Sequence, residues 1–405
     1  MLANQTTRIL FSSFLLLGAC DAGGLRSGMV SDAGASKKTG GSDGAVGLGG
    51  NTTDGMTCLA ATLGLAGALG NADTSGAVPV LQGVFTRTGN MIVPRSGHQA
   101  TLLPDGRVLI TGGFGLRSAE LYDRASGTFR LTGDMAEFRD YHTATALPNG
   151  MVLVAGGGSK TAELYNPTTE TFTPAGAMAA YRTYHTATRL CDGRVLLAGG
   201  WDETAELYDP VKGTFTTTGS MSVGRRNFAA TLLPDGNVLV AGGFGDGYFD
   251  SAEIYNPTTG RFTSTNRMSQ PRENLTATLL PSGKALIAGG DYAAPAASAE
   301  LYDPASCLFA LTGGMVVARE NHGALLLADG KMLVMGGAGG VPAGTFSILT
   351  SAELYDPASG KFAATGAMVS PRTFASAVLL LSGEVLVTGG LGINFDYTAT
   401  AELYQ

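Results

Sequence analysis

Histidine is the residue of this sequence with the widest choice of chemistry, because imidazole titrates near neutral pH and is a common ligand of transition metals. The chain has four histidines, each three residues after an arginine: His98, His142, His185 and His322. The first three fall in consecutive copies of a repeat, which leaves a metal site open as an alternative. Phe228, Leu275 and Ala375 take the same place in the other copies. We therefore expect the histidines to pack as core residues, and we assign no metal ligand and no cofactor.

A regular series of arginines and glutamates is the second set of groups that could do chemistry. Each arginine precedes a Gly-Gly pair by 17 residues: Arg95, Arg139, Arg182, Arg225, Arg272, Arg319 and Arg372. The glutamates lie in the tetrapeptide AELY or AEIY: Glu120, Glu163, Glu206, Glu253, Glu300, Glu353 and Glu402. One carboxylate and one guanidinium in every copy predict buried bidentate ion pairs that stabilise the fold. A ring of catalytic carboxylates is the alternative, but catalysis would not require identical copies.

Variation in length is confined to the segment between each Gly-Gly pair and the next AELY. The seven segments read FGLR, GSK, WDE, FGDGYFD, DYAAPAA, AGGVPAGTFSILT and LGINFDYT. Their aromatic and acidic residues are our candidate ligand-binding residues: Phe114, Trp201, Asp202, Phe244, Asp246, Tyr248, Phe249, Asp250, Tyr292, Phe346, Phe395 and Tyr397. Aromatic anchors among polar groups suit a sugar, a peptide or a protein surface. The alternative is that part of them folds inward to seal the loops.

Each copy carries the signals of four short strands. A run such as QATLLP leads through an Asp-Gly, Asn-Gly or Ser-Gly turn into VLITGG, AELY follows, and a segment such as TFRLTG comes last. Such a unit cannot bury both faces alone, so seven of them predict a ring of mutually packed units. The predicted fold is all-β, a seven-bladed β-propeller of four-stranded blades at about 95–135, 139–178, 182–221, 225–268, 272–315, 319–368 and 372–405 plus 83–91.

The last blade lacks a fourth strand in its own part of the sequence, because AELY is followed there by a single residue. Phe85 precedes Arg95 by ten residues, just as Phe129 precedes Arg139. We therefore predict that the N-terminal strand of the domain completes the last blade. Closing the ring in this way removes two exposed strand edges.

The arginine, VLITGG, AELYDP, a Thr-x-Phe start and a closing Thr-Gly-x-Met together resemble the kelch repeat over residues 83–405. Phenylalanine stands where that family usually has tryptophan in the fourth strand. The resemblance implies a β-propeller, and the family includes copper oxidases and sugar mutarotases. The copper class needs Tyr and His ligands with a Cys close to a Tyr, and here no cysteine lies in a variable segment. We favour a binding or interaction module, with a propeller enzyme or a structural envelope component as alternatives.

The N-terminus predicts export. Arg8 is followed by an apolar run and by Leu17-Gly18-Ala19-Cys20, which is typical of a bacterial lipoprotein signal peptide over residues 1–19. Acylated Cys20 would anchor the protein in the lipid bilayer of a bacterial cell envelope; an ordinary cleavage site near a cysteine is the alternative. Residues 20–82 are rich in Gly, Ala and Ser, which predicts a flexible tether.

Charge and cysteine content restrict the partners. A net charge of −7 without a basic stripe argues against nucleic acid. We expect a monomeric propeller whose partner, a protein or a carbohydrate, binds the variable loops. Cys191 and Cys307 replace residues that vary between copies, and we interpret them as turn substitutions, with a disulfide between them as the alternative.

Overall fold

The computed structural model describes residues 83–291, 294–340 and 347–405. The predicted signal peptide, the tether with Cys20, and the candidates Tyr292 and Phe346 lie outside the described residues. Within the described ranges every regular element is a β-strand, and no helix there is long and apolar enough to cross a membrane.

Seven antiparallel sheets of four strands follow one another along the described chain, and we number them S1 to S7. S1 contains β2 (Gln99–Leu102), β3 (Val108–Thr111), β4 (Ala119–Asp123) and β5 (Thr128–Leu131). S2 contains β6 (Thr143–Ala146), β7 (Val152–Ala155), β8 (Ser159–Asn166) and β9 (Thr171–Arg182). S3 contains β10 (Thr186–Arg189), β11 (Val195–Ala198), β12 (Ala205–Asp209) and β13 (Thr214–Thr217). S4 contains β14 (Ala229–Leu232), β15 (Val238–Ala241), β16 (Ala252–Asn256) and β17 (Arg261–Ser264).

The remaining sheets repeat this arrangement with two additions. S5 contains β18 (Thr276–Leu279), β19 (Ala285–Ala288), β20 (Ala299–Asp303) and β21 (Leu308–Leu311). S6 contains β23 (Gly323–Leu326), β24 (Met332–Met335), β27 (Ala352–Asp356) and β28 (Lys361–Ala364). A small sheet beside S6 contains β22 (Ala318–Glu320), β25 (Ala338–Gly340) and β26 (Ser347–Ile348), which the repeat pattern did not indicate. S7 contains β29 (Ser376–Leu379), β30 (Val385–Thr388), β31 (Ala401–Tyr404) and, as its fourth strand, β1 (Phe85–Arg87).

The all-β fold class is confirmed, and the arrangement is consistent with a propeller. The second strand of every sheet is fully buried, as expected for apolar runs covered on both faces. The core lies between neighbouring sheets: Leu109 and Leu121 of S1 pack with Val154 of S2, for example. Val108 of S1 packs in the same way with Leu386 of S7.

The repeated arginines and glutamates form buried ion pairs, with Nη2 to Oε1 distances of 2.8 to 3.2 Å in all seven sheets. Their geometry differs from the predicted bidentate one. In S1, Nε and Nη2 of Arg95 both donate to Oε1 of Glu120. The other carboxylate oxygen accepts the backbone N–H of Ile92 over 2.7 Å, which ties the connecting segment to the sheet.

The two described cysteines, Cys191 and Cys307, lie in turns, and both are disulfide-bonded. Our interpretation of them as simple turn substitutions is therefore wrong. A turn position tolerates a cysteine on steric grounds, but repeat comparison alone carries no information about the oxidation of its thiol.

Candidate binding site on the loop face

The loops between the second and third strands meet the segments that connect consecutive sheets, and we call the surface they form together the loop face. Phe114, in the loop of S1, donates its backbone N–H to the carbonyl oxygen of Ser96 over 3.0 Å. Arg226 and Phe244 exchange two backbone hydrogen bonds of 2.9 Å in S4. The loops of S1 and S4 are therefore held against the segments that lead into their own sheets.

A groove of about 540 Å³ opens on this face between the loops of S3 and S4. Trp201 forms one side of it and is 63% exposed, and Phe244 forms the other. The guanidinium carbon of Arg226 lies 4.1 Å from the ring centroid of Trp201 and 5.0 Å from that of Phe244. Two aromatic rings thus hold a cation in an open groove, a favourable arrangement for a guanidinium.

Four of the predicted ligand-binding residues, Trp201, Phe244, Asp246 and Phe249, line this groove. Asp246 is exposed, whereas Phe249 is half-buried against Gly245 of its own loop, with the guanidinium carbon of Arg225 at 5.2 Å from its ring centroid. Phe249 therefore behaves as a residue that seals the loop.

Tyr248, a further candidate, packs its ring edge-on against Phe244 at 5.0 Å. It supports one wall of the groove without lining it.

Asp202 and Asp250 shape the loops. Asp202 accepts the backbone N–H of Thr204 over 3.0 Å and lies 3.7 Å from Nη1 of Arg182. Asp250 forms an ion pair of 2.7 Å with Arg267. Both carboxylates therefore already have protein partners.

A second group of candidates lies between the loops of S1 and S7. The rings of Phe114 and Tyr397 are 6.1 Å apart, and their side chains are 59% and 46% exposed. Phe395 is 58% exposed with a φ of +60°. These residues do not line the groove between S3 and S4.

Next to the groove, a chain of backbone hydrogen bonds runs through one residue of each connecting segment, and we call it the inner arc. It joins Gly97, Tyr141, Tyr184, Asn227, Asn274, Asn321 and Phe374 through bonds of 2.9 to 3.4 Å. All seven have φ between 49° and 66°. Glycine and asparagine tolerate this conformation, but it strains aromatic residues, and such strain concentrates at functional sites.

The side chains of the inner arc form an aromatic part and an amide part, and the amide part consists of Asn227, Asn274 and Asn321. The rings of Tyr141 and Tyr184 stack at 4.2 Å, and Phe374 meets Tyr141 edge-on at 5.8 Å. Burial raises the pKa of Tyr184, and burial with the neighbouring Tyr184 raises the pKa of Tyr141. Both tyrosines are therefore neutral at physiological pH.

Acidic residues adjoin the amide part. Asn227 donates to Glu273 over 2.9 Å, and Asn274 donates to Asp291 over 3.2 Å. Burial, together with a hydrogen bond and repulsion from Asp291, raises the pKa of Glu320 to about 8. Within the described residues no group of three or more His, Cys, Asp or Glu side chains has the geometry of a metal site.

The histidines lie inside the fold. Each Nε2 is 2.8 to 3.1 Å from a threonine hydroxyl: Thr388 for His98, Thr111 for His142, Thr143 for His185 and Thr276 for His322. Burial lowers the pKa of each imidazole to about 3, so all four are neutral at physiological pH. Each ring is buried with its Nε2 at a threonine hydroxyl, and no group of three or more His, Cys, Asp or Glu side chains in the described residues could hold a metal, so the residues present do not fit a copper centre built from Tyr and His.

The groove and the inner arc depend on residues that the sequence analysis did not select, above all Arg226, Glu273 and Glu320. They stand directly after the repeated arginines, where other copies have Ser, Asp or Thr. That variation beside an invariant residue is the sequence signal that could have identified them.

Comparison with known proteins bears on the fold. The kelch motif matches residues 225–269 and supports a resemblance to the kelch-repeat family. No curated protein sequence matches the chain. A similar solved structure is a novel fungal alcohol oxidase of the AA5 family in complex with copper, with a TM-score of 0.63 and 18% identity. The match covers 79% of this chain and 75% of the oxidase, and at this identity it shows a common fold alone.

Proposed function

We propose that this chain is a carbohydrate-binding module built on a closed seven-bladed β-propeller. The seven four-stranded sheets serve as its blades, and β1 completes the last of them. Contacts between the first strands of neighbouring sheets support the ring, since they run from β2 through β6, β10, β14, β18 and β23 to β29 and back to β2. This ring presents the loop face as one continuous surface.

The observation that carries the proposal is the exposed ring of Trp201 at the edge of the groove between S3 and S4. Single exposed aromatic side chains are common on protein surfaces, but Trp201 lines a groove together with Phe244 and polar groups, as in a ligand site. A flat indole beside polar groups suits a sugar, whose apolar ring face stacks on it while its hydroxyls form hydrogen bonds. Gly200 and Gly224 also line the groove and leave its backbone accessible.

Export and a lipid anchor at Cys20 complete the proposal and rest on the N-terminal sequence. An acylated N-terminus with a tether over residues 20–82 would hold the module at the surface of a bilayer. A polysaccharide bound by the module would thereby be held at the surface of the cell envelope.

A glycan array probed with the purified chain tests the proposal, followed by calorimetry on the strongest hit. Trp201→Ala is expected to weaken binding at least about tenfold, because truncating a central aromatic anchor of a binding site costs about 2 kcal/mol or more. Phe138→Ala is the matched control, since Phe138 is an exposed aromatic residue that lies outside the groove and is not among the candidate ligand-binding residues.

An array without hits would contradict the carbohydrate proposal. If a pull-down then recovers a protein whose binding is lost in Trp201→Ala and kept in Phe138→Ala, the groove serves a protein partner instead.

A further inference from the structure

Arg226 is peculiar to S4. The residue directly after the repeated arginine is Ser96, Asp140, Thr183, Glu273, Glu320 or Thr373 in the other six sheets. The fold therefore tolerates both hydroxyl and carboxylate side chains at this position. The long cationic side chain of Arg226 needs an explanation outside the repeat.

The backbone of Arg226 is fixed. Arg226 and Phe244 exchange two hydrogen bonds of 2.9 Å, so the segment before S4 and the loop of S4 are locked together at this point. The guanidinium then lies within 4.1 Å of the centroid of Trp201 and 5.0 Å of that of Phe244. Because aromatic contacts use the face of the planar guanidinium, they leave the N–H groups on its edge available.

Those N–H groups have no acceptor in the described part of the chain, where the Arg226 side chain makes neither an ion pair nor a hydrogen bond. Some surface arginines have such partners, as Arg124 has Glu384 and Arg267 has Asp250 over 2.7 Å, whereas the exposed Arg87 and Arg261 have none among the described residues. Arg226 differs from Arg87 and Arg261 because it lines a groove between two aromatic rings. A guanidinium carries five N–H donors in a rigid fork that matches a carboxylate. Glu273 attracts this cation electrostatically, and Glu203 and Asp246 line the same groove, but none of the three forms a direct ion pair with Arg226 in the described part of the chain.

We infer that Arg226 selects an acidic sugar, whose carboxylate binds the guanidinium edge while its pyranose ring stacks on Trp201. This inference rests on the proposed function and adds the substrate class to it. A uronic acid carries its carboxylate directly on the sugar ring. The carboxylate can therefore reach the guanidinium of Arg226 while the ring stacks on the adjacent indole of Trp201. Glu203 and Asp246 line the same groove and oppose polymers of higher charge density, such as sulfated glycans.

Calorimetry with the full-length chain tests the inference. The probes are oligomers of galacturonic, glucuronic and mannuronic acid, their methyl esters, and a sulfated neutral oligomer. The acidic oligomer that binds best is expected to bind about tenfold or more tightly than its ester, because a hydrogen-bonded charge pair contributes on the order of 1.5–3 kcal/mol. Raising the salt concentration should reduce the difference.

Arg226→Thr installs the residue type that S3 carries at Thr183, and it should bind acid and ester equally. Arg226→Lys keeps the charge without the planar fork and should retain only part of the preference. Arg117→Gln is the control, since Arg117 is exposed and lies outside the groove. Thermal melting of each variant checks that the fold is intact.

The outcomes separate the inference from the proposed function. Equal affinity of the wild type for acid and ester, preference for the sulfated oligomer, or an undiminished preference in Arg226→Thr would overturn the inference while leaving a carbohydrate site. Binding of no oligomer, acidic or neutral, together with an array without hits, would contradict the proposed function itself.

Discussion

Nη1 of Arg95 donates a hydrogen bond of 2.7 Å to the carbonyl oxygen of Gly112, the first glycine of its Gly-Gly pair. The same nitrogen donates to the carbonyl oxygen of Ser118 over 2.8 Å, at the residue before AELY. One guanidinium thus holds both ends of the variable loop together. The loop can change in length as long as its two ends stay within reach of the arginine.

This contact gives a physical reason for the constant spacing of 17 residues. The bond from Nη1 to the glycine carbonyl recurs in all seven sheets at 2.7 to 2.9 Å and always spans 17 residues. An insertion between the arginine and the glycine would move the carbonyl away from a buried donor. Insertions after the glycine leave the bond intact, so the differences in length between repeats occur on the loop face.

Removing one of these arginines should destabilise the fold severely. Arg95→Met leaves the Glu120 carboxylate and two backbone carbonyls buried without their donor, and we expect a loss of about 3–5 kcal/mol in the free energy of unfolding. Urea denaturation measures it. Arg130→Met is the control, because its ion pair with Glu170 is exposed and should contribute less than about 1 kcal/mol. Similar losses in both variants would contradict the structural role of Arg95.

A single substitution should stabilise S3. In six sheets the buried tyrosine of AELY has its hydroxyl 2.8 to 3.1 Å from a threonine of the preceding sheet. Tyr208 is the exception: Ala175 stands where that threonine would be, and the Tyr208 hydroxyl is buried without a partner in the described chain. Ala175→Thr supplies one, and we expect a gain of about 1 kcal/mol.

Thermal and urea denaturation of Ala175→Thr measure that gain. Thr132→Ala makes the reverse change at Tyr165 in S2 and should cost a comparable amount. Ala175→Val is the steric control, because it adds the same bulk without a hydroxyl. Equal effects of Ala175→Thr and Ala175→Val would show that packing, and not the hydrogen bond, is responsible.

The buried histidines should make the fold less stable in mild acid. Burial lowers their pKa from 6.5 to about 3, so below pH 6.5 the unfolded chain binds protons that the folded chain excludes. The histidine contribution to stability is therefore fully present above pH 6.5 and falls as the pH drops towards 3. Each histidine contributes a slope approaching about 1.4 kcal/mol per pH unit once its unfolded form is protonated.

His185→Phe tests this slope, because Phe228 occupies the corresponding position in S4. The variant should lose roughly a quarter of the histidine contribution between pH 6.5 and 5, whereas the opposing contribution of Glu320 is common to the variant and the wild type. Urea denaturation at several pH values gives the slopes. Identical slopes for the variant and the wild type would contradict a neutral, buried His185.

The repeated parts of the fold were the predictable parts. Strand segments such as VLVA and AELY recur with fixed spacing, and a buried strand needs little beyond apolar residues between turn signals. The bidentate geometry was predicted wrongly because the backbone N–H of Ile92 competes for the second oxygen of Glu120. That competitor lies on the connecting segment, and sequence spacing does not show where its N–H points.

The candidate site was predictable only in part, because it is made of the residues that do not repeat. Aromatic enrichment indicated Trp201 and Phe244, but their contact with Arg226 depends on how two loops and a connecting segment meet. The sequence likewise did not indicate that Tyr141 and Tyr184 have a positive φ. Propensity disfavours that conformation for an aromatic residue, and the backbone hydrogen bonds of the inner arc override it.

The strand that completes S7 should contribute as much to the free energy of unfolding as the fourth strand of any other sheet. Phe85 of β1 lies opposite Tyr404 of β31, with ring centroids 4.8 Å apart, and the same separation joins Phe309 to Tyr302 in S5. Phe85→Ala should therefore cost about as much as Phe309→Ala, on the order of 3–5 kcal/mol, despite its distance in sequence from β31. Urea denaturation compares the two variants.

Deletions test the same strand without relying on one side chain. Removing residues 83–89 exposes the edge of β31 and uncovers Tyr404, so the protein should unfold or aggregate. Removing residues 21–75 leaves every described strand in place and should leave the melting temperature nearly unchanged. Size-exclusion chromatography and thermal melting distinguish the two deletions. Equal stability of both would mean that β1 does not close the ring, and the proposed propeller would need another partner for β31.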